Sequence, residues 1–185
     1  MQSGGVKARI CYSKEYPANL IGHLDTVSAL QRSMRRAGWL FRFSCGFNPR
    51  AKLSFTPPLS LGFSSFAEYI EAELVREPED YQIDAFKENT VDGITIMDVK
   101  IIGIEEPGIN DIVAGFRYHV LFNSPGCSIP EGIDNIVERD DSRIVLDVYK
   151  RNGGFRNPVK ILGNGDYKVK KIDCLWENEK GVTGE

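Results

Sequence analysis

The segment Ala67-Glu68-Tyr69-Ile70-Glu71-Ala72-Glu73-Leu74-Val75 alternates between aliphatic side chains and polar or aromatic ones. Successive side chains of a strand point to opposite faces of a sheet. The alternation therefore predicts a half-buried strand, with Ile70, Ala72 and Leu74 on its buried face. A strand of this kind needs a sheet around it and a hydrophobic core on one side.

Two segments on either side of this strand are predicted to be helices. Between residues 24 and 37 the apolar side chains recur at helical spacing, and Gly38 follows as a terminator. Polar and basic side chains occupy the other side of this predicted helix, so it is amphipathic. A shorter helix is predicted at 83–89.

Three more strand-like segments, at 6–13, 52–55 and 94–104, complete the first part of the chain. Together with the two helices they give the order β-α-β-β-α-β. This order predicts an α+β, ferredoxin-like domain over residues 1–107, in which two helices cover one face of an antiparallel sheet.

The rest of the chain is predicted to be rich in strands. A turn-rich, acidic stretch covers 124–141, and a short helix with proline at its first position is predicted at 157–163. We predict a β-rich C-terminal subdomain or degenerate second half at 108–178, packed on the first domain, and a flexible tail at 179–185. The predicted strands are 116–122, 143–149 and 167–176.

Length and composition favour an ordinary globular protein of 185 residues. No apolar run approaches the roughly 18 residues of a membrane span, so we expect no membrane association and a cytoplasmic location. The cysteines form no CxxC pair, which gives no support for a zinc or iron–sulfur site, and we expect no metal or cofactor in this chain. The four cysteines are Cys11, Cys45, Cys127 and Cys174.

Charge is distributed unevenly along the chain. The first 60 residues carry nine Lys/Arg and two Asp/Glu, a formal charge of +7, whereas the whole chain carries −3. A basic region on an acidic protein indicates a local anionic partner, which is phosphate, RNA or an acidic protein surface. The alternative is that these charges are spread over a solvated surface and serve only solubility.

Two features of the basic region are typical of a phosphate or RNA site. The predicted helix carries three arginines on one stripe, and guanidinium groups bind phosphates in a bidentate manner. In Gly46-Phe47-Asn48-Pro49-Arg50-Ala51-Lys52-Leu53-Ser54-Phe55, two cations stand between two phenylalanines, and aromatic rings interspersed with cations are typical of grooves for single-stranded nucleic acids. Alternatively, either phenylalanine belongs to the hydrophobic core. Glu68 and Tyr69 are predicted to form the far wall of this site. The predicted anion- or RNA-binding set is Arg32, Arg35, Arg36, Phe47, Asn48, Arg50 and Lys52.

The tetrapeptide Gly22-His23-Leu24-Asp25 stands at the start of the first predicted helix. His23 is a candidate donor or general acid–base at this position, because helix starts favour anions. The alternative is that His23 or Asp25 only caps the helix. His119, in the middle of a predicted strand, is expected to be structural.

Several motifs in order resemble the radical-SAM-linked domain family, a domain of unknown function. These are GHLD at 22–25, a basic helix ending in RRAG at 35–38, GFNPRAKLSF at 46–55, PPLSLG at 57–62 and AEYIEAEL at 67–74. The resemblance covers roughly residues 6–75 and is weak beyond them. It implies a radical SAM enzyme as partner, in a setting of RNA processing or ribosome biology, but it supplies no reaction.

These observations support three functions. The first is a non-catalytic accessory module that holds RNA or another phosphate-bearing substrate for a radical SAM enzyme encoded separately. The second is a ferredoxin-like RNA-processing enzyme, in which His23 is the general acid–base and Arg50 or Lys52 stabilises developing charge. The third is a scaffold for protein contacts alone, in which the basic face meets an acidic partner. The oligomeric state cannot be read from the sequence.

Overall fold

The computed structural model describes residues 4–123, 133–152, 154–162 and 166–177. Within these ranges the protein is built mainly from strands. The strands are β1 (Val6–Lys14), β2 (Leu53–Phe55), β3 (Ser64–Leu74), β4 (Ile94–Gly103), β5 (Val113–Phe122), β6 (Asn135–Arg139), β7 (Arg143–Tyr149) and β8 (Tyr167–Trp176). The α-helices are α1 (His23–Arg36), α2 (Asp80–Glu88), α3 (Ile109–Ile112) and α4 (Pro158–Leu162), and a 3-10 helix spans Ala18–Leu20.

The strands hydrogen-bond in the order β4-β1-β3-β8-β5-β7-β6, and β2 pairs with β3. The pairs of β1 with β4, of β5 with β7 and of β5 with β8 are antiparallel, whereas β3 runs parallel to β8. The eight strands therefore form a mixed sheet.

The predicted ferredoxin-like fold, with an all-antiparallel sheet and two helices, is wrong. The strand predicted at 67–75 is longer at its start, since β3 begins at Ser64. Its first residues pair with β8, with Ser64 opposite Lys170 and Ser65 opposite Lys171. The strand order thus continues through β3 into β8, where the predicted fold would end. Four α-helices accompany the strands, whereas a ferredoxin-like fold has two.

Most of the individual elements were predicted correctly. The strands predicted at 143–149 and 167–176 coincide with β7 and β8, and the helix predicted at 24–37 is α1 to within one residue. Three short elements were not predicted, namely the 3-10 helix at Ala18–Leu20, α3 and β6. β6 lies inside the stretch predicted to be turn-rich, part of which is outside the described residues.

The described residues form two compact units. Unit 1 contains those of 1–58 and 68–111, and unit 2 contains those of 59–67 and 112–185. The predicted domain boundary at residue 107 stays a prediction, and the predicted tail at 179–185 lies outside the described residues.

The core of unit 1 lies between the sheet and its helices. Ile70, Ala72 and Leu74 are buried in it, which confirms the predicted buried face of this strand. Helix α1 contributes Leu30 and Met34, which are almost completely buried. Further buried members of this core are Ala8, Ile10, Tyr12, Ala18, Ala37, Trp39, Phe41, Phe86, Ile94 and Ile96.

Glu71 lies on the face of β3 opposite to Ile70, Ala72 and Leu74. The alternation predicts this face to be polar and exposed, but Glu71 is buried. The Nε group of Arg9 donates a hydrogen bond to Glu71 Oε1 at 2.7 Å. The backbone N–H of Ile109 donates to Glu71 Oε2 at 2.9 Å, and Arg9 also donates to the carbonyl of Pro107 at 2.8 Å. These bonds satisfy a buried charge and fasten residues 107–109 to the sheet.

Unit 2 is organised around β5, which lies between β7 and β8. Its buried residues include Phe116, Val120 and Leu146. A buried carboxylate is paired here as well, because Asp147 is completely buried and accepts two hydrogen bonds from the partly exposed Arg117, at 2.7 and 3.0 Å.

Candidate functional site

The basic stripe predicted for α1 is exposed. Arg32, Arg35 and Arg36 all lie on the solvent side of the helix. The guanidinium carbon of Arg35 lies 5.9 Å from the ring centroid of Phe41 and 6.0 Å from that of Phe43. A guanidinium stacked on rings keeps its N–H groups available at its edge. We call the three arginines together with Phe43, which is also exposed, the α1 basic face.

The charges of the α1 basic face are not neutralised within the part of the chain that the structure describes. Arg36 donates hydrogen bonds to Ser33 Oγ at 3.1 Å and to the carbonyl of Asn89 at 3.2 Å, and both acceptors are uncharged. No carboxylate among the described residues forms an ion pair with any of the three arginines. The helix therefore presents uncompensated positive charge to solvent.

A loop at residues 44–50 follows the α1 basic face along the chain. Its base is closed by a β-bridge between Phe43 and Ala51. The N–H of Ser44 donates to the carbonyl of Arg50 at 2.8 Å, and Ser44 Oγ accepts the N–H of Arg50 at 3.0 Å. Because Phe43 also contacts Arg35, the loop starts beside the α1 basic face.

The two phenylalanines predicted as stacking faces differ in the structure. Phe47, near the tip of the 44–50 loop, is fully exposed, and Asn48 beside it is exposed too. Phe55 is half-buried and lies edge-on against His23, with ring centroids 5.2 Å apart. Only Phe47 is therefore accessible on its whole surface.

Lys52 is placed differently from the α1 arginines. Its Nζ lies 3.1 Å from Glu73 Oε2, and Arg42 Nε lies 3.7 Å from the same oxygen. Side chains alternate along an extended segment, so Arg42 points away from the side on which Phe41 and Phe43 meet Arg35. The structure thus brings Arg35 to Phe43 and to the start of the loop, but it pairs Lys52 with a carboxylate.

His23 is the first residue of α1 and is half-buried. The N-cap is Gly22, and no side chain caps the helix, so the prediction that His23 or Asp25 is the cap is wrong. Within the described residues, His23 forms no hydrogen bond with Asn48 or Ser54, the residues that it would face in an enzyme built around the loop. Its surroundings are set by other side chains.

Glu68 and Lys14 act electrostatically on His23, and the same Glu68 acts on Tyr12; we call the four residues the His23 cluster. Tyr12 and Glu68 are buried, while Lys14 is half-buried and donates a hydrogen bond from Nζ to the carbonyl of Ile21 at 2.9 Å. Tyr12 and Lys14 occupy alternate positions of β1, and Glu68 stands in β3 in phase with Ile70 and the core. Tyr12, Lys14 and Glu68 therefore occupy core-facing positions of β1 and β3 at which polar residues replace apolar ones.

The electrostatics of the His23 cluster are dominated by burial and by the charge of Glu68. Burial lowers the pKa of His23, Glu68 opposes this shift, and the charge of Lys14 adds to it. Burial lowers the pKa of Lys14 as well, again against Glu68. Burial and then the charge of Glu68 raise the pKa of Tyr12 well above its usual value. Glu68 thus affects the pKa of each of the other three groups.

Lys14 and Tyr12 were not predicted as site residues, whereas Glu68 was predicted at a site wall. A signal for Lys14 was present, since it continues the buried phase of Ala8, Ile10 and Tyr12. A charged residue at a buried phase of a strand needs a partner. The position of that partner depends on how β1 and β3 are arranged, which no local pattern contains.

Replacing Glu68 by glutamine is expected to lower the pKa of His23 further. The carboxylate stabilises the imidazolium, so its removal leaves burial and Lys14 acting alone. Protonation of His23 already destabilises the fold as the pH falls below 6.5, because the folded-state pKa is depressed, and the window widens in the variant. The measurement is an NMR pH titration of the His23 ring, with Glu73→Gln as the matched control. An unchanged pKa in Glu68→Gln would contradict this placement of Glu68.

Across the described ranges, no helix is long and apolar enough to cross a membrane. The same part of the chain contains no group of three His, Cys, Asp or Glu side chains placed to hold a metal ion. Of the described cysteines, Cys11, Cys45 and Cys174 are in no disulfide bond, and Cys127 lies outside the described residues.

Comparison with known protein families finds a match over most of the chain. A model described as "Uncharacterized protein conserved in bacteria (DUF2344)" matches residues 7–156, which include the α1 basic face, the 44–50 loop and the His23 cluster. No curated protein matches the chain significantly. The family description names no reaction, ligand or partner.

Proposed function

We propose that this chain, which belongs to the DUF2344 family of uncharacterized bacterial proteins, is a non-catalytic accessory module that binds RNA or another phosphate-bearing ligand. The observation that carries the proposal is the α1 basic face, with three exposed arginines that no described carboxylate neutralises. Guanidinium groups on a solvent-exposed helix are well suited to phosphate oxygens.

The aromatic side chains next to this face favour a single-stranded ligand. Phe43 is exposed beside Arg35, and Phe47 is fully exposed in the 44–50 loop with Arg50 at its base. Unpaired bases stack on such rings, with a contribution of about 1–3 kcal/mol per base. A duplex would offer its phosphates but not the faces of its bases, so Phe47 would remain in water.

The partner that we propose is a radical SAM enzyme encoded separately, to which the module presents its bound ligand. This part of the proposal comes from the motifs at residues 22–74. Purification of the native protein from lysate, with and without RNase, tests it. Recovery of such an enzyme in the untreated arm supports the accessory role. Recovery of the enzyme with no bound nucleic acid in either arm favours the protein scaffold instead.

Changing Arg32, Arg35 and Arg36 together to glutamate is expected to weaken binding of a single-stranded RNA oligonucleotide by more than about tenfold. Removing an arginine that binds a phosphate also reduces the salt dependence, so the slope of log K against log salt should fall by about 2 if all three arginines bind phosphates. Fluorescence anisotropy of a labelled oligonucleotide over a series of salt concentrations measures both quantities.

A matched control carries the same change in net charge at three exposed cations outside α1, one each in β4, β6 and β8, with Lys100, Arg139 and Lys168 each changed to glutamate. A local site predicts little effect of the control compared with the α1 variant. Equal losses in the two variants would mean that only the overall charge matters. Unchanged binding in the α1 variant would refute the proposal.

A further inference from the structure

Strand β4 has an open edge in the part of the chain that the structure describes. It is the first strand of the order β4-β1-β3-β8-β5-β7-β6, and the strand with which it pairs is β1. The other edge of such a strand presents N–H and C=O groups that can bond to a further strand. Because β4 is ten residues long, it offers a complete row of these groups to a partner.

Two opposite charges stand on the solvent face of β4. In the register with β1, Val99 lies opposite Ile10, and Lys100 lies opposite Arg9. Ile10 is completely buried, and Val99 packs against the core of unit 1. Asp98 and Lys100, on either side of Val99, therefore point to the other face of the sheet, where both are exposed.

Asp98 and Lys100 have no counter-charge among the described residues. None of the ion pairs in the described ranges contains either of them. The residue of β1 opposite Lys100 is Arg9, which carries the same sign and bonds to Glu71 instead. Like charges opposite each other in neighbouring strands are unfavourable. A carboxylate at the open edge of β4 would therefore stabilise Lys100.

A second copy of β4 supplies this carboxylate. When two copies of a strand run antiparallel about a two-fold axis, positions equally distant from the axis lie opposite each other. An axis at Val99 places Asp98 of each copy opposite Lys100 of the other, which gives two ion pairs on one face. A lysine alone protects an edge from pairing, but the aspartate two positions before it makes the strand complementary to its own copy.

Other axes satisfy the charges less well. An axis at Lys100 would bring the two lysines together, and an axis at Ile101 would leave Lys100 opposite Ile102. The axis at Val99 also places Met97, which is 57 % exposed, near the half-buried Ile101 of the second copy. Both the charges and the apolar surface of this edge therefore favour the same arrangement.

We infer that β4 is a homodimer interface, in which two copies of the chain pair antiparallel through this edge with Val99 on the two-fold axis. The inference goes beyond the proposed function and does not depend on it. One strand contacts one strand, so the interface is small, and we expect a reversible dimer rather than a permanent one.

The first experiment follows sedimentation velocity of the full chain, without nucleic acid, over a wide range of protein concentrations. A shift from monomer to dimer with rising concentration is expected. Asp98→Lys or Lys100→Glu turns both ion pairs into like-charge pairs, so each is expected to raise the dissociation constant of the dimer by about tenfold or more. A natural protein that stays monomeric at its highest soluble concentration overturns the inference, and so do variants that dimerise as tightly as the natural protein.

A mixture of the two variants tests the register. Asp98→Lys has two cations at these positions and Lys100→Glu has two carboxylates, so neither variant fits itself but each fits the other. The equimolar mixture is therefore expected to form a dimer about as stable as that of the natural protein. A mixture that stays monomeric overturns the axis at Val99.

Matched controls make the same charge changes at exposed positions of α2, namely Asp84→Lys and Lys87→Glu. Both should dimerise like the natural protein, and an equal loss of the dimer in them would mean that net charge alone governs association, which overturns the inference. Unchanged circular dichroism spectra verify that each variant is folded.

These measurements contain no RNA, so their outcome is separate from that of the proposed function. Lys100→Glu is also part of the control in the RNA-binding assay. That assay is therefore carried out at protein concentrations at which the natural chain is monomeric.

Discussion

Replacing Glu71 by alanine is expected to destabilise unit 1 by about 3–5 kcal/mol. The side chain of Glu71 is 5 % exposed and that of its partner Arg9 is 14 % exposed, so removal of the carboxylate leaves a buried cation with no counter-charge. The N–H of Ile109 loses its acceptor at the same time. An uncompensated buried charge costs far more than the net contribution of the intact pair.

The measurement uses the two tryptophans of the chain, one in each unit. Labelling with 5-fluorotryptophan gives separate ¹⁹F NMR signals for Trp39 in unit 1 and Trp176 in unit 2, and urea denaturation is followed at both. The matched control is Glu73→Ala. Its carboxylate meets Arg42 and Lys52, whose side chains are 42 % and 43 % exposed, so a loss of about 0–1 kcal/mol is expected. Similar losses of stability in both variants would show that burial does not make the Arg9–Glu71 pair more important for stability than the exposed pairs of Glu73.

The sequence was most informative where the physical signal is local. The alternation at 143–149 and 167–176 and the helical spacing before Gly38 gave elements whose bounds agree closely with the structure. β6 has no such signal, because four of its five residues are exposed and no buried face imposes an alternation. Local periodicity thus predicts an element only when the element buries one side.

The pairing of distant strands could not be predicted, and it decided the fold. The parallel pair of β3 and β8 joins Ser64 to Lys170, more than a hundred residues apart, and no feature of either segment specifies the other. The same limit applies to buried charges. Glu71 and Glu73 have the same local sequence pattern. Glu71 nevertheless accepts hydrogen bonds from Arg9 and the Ile109 N–H in a buried position, whereas Glu73 pairs with two exposed cations.

In the candidate site, too, local patterns were predictable and contacts between distant segments were not. Helical spacing was sufficient to place three arginines on one stripe, and all three are exposed. The neutralisation of Lys52 by Glu73 depends on β2 lying against β3, which brings two charged strands together. The number of cations in the first 60 residues therefore overstated the charge that is available to a ligand.

Replacing Asp147 by alanine is expected to destabilise unit 2 by about 3–5 kcal/mol, whereas replacing the whole ion pair is expected to be nearly neutral. The side chain of Asp147 is 1 % exposed and receives a bidentate interaction from Arg117, with a third hydrogen bond from Asn135 at 3.2 Å. Alanine leaves the guanidinium, 31 % exposed, without its counter-charge and opens a cavity.

The comparison with a double variant shows whether the charges or the packing matter. In Arg117→Met with Asp147→Leu, both charges are removed and apolar groups fill the space, while half-buried Asn135 bonds to water. Buried pairs replaced in this way often keep or gain stability, because neither ion has to be desolvated. Urea denaturation followed at fluorinated Trp176 should place the double variant within about 1 kcal/mol of the natural protein or above it. A double variant as unstable as Asp147→Ala would mean that the pair itself, and not only the avoidance of an unpaired ion, stabilises unit 2.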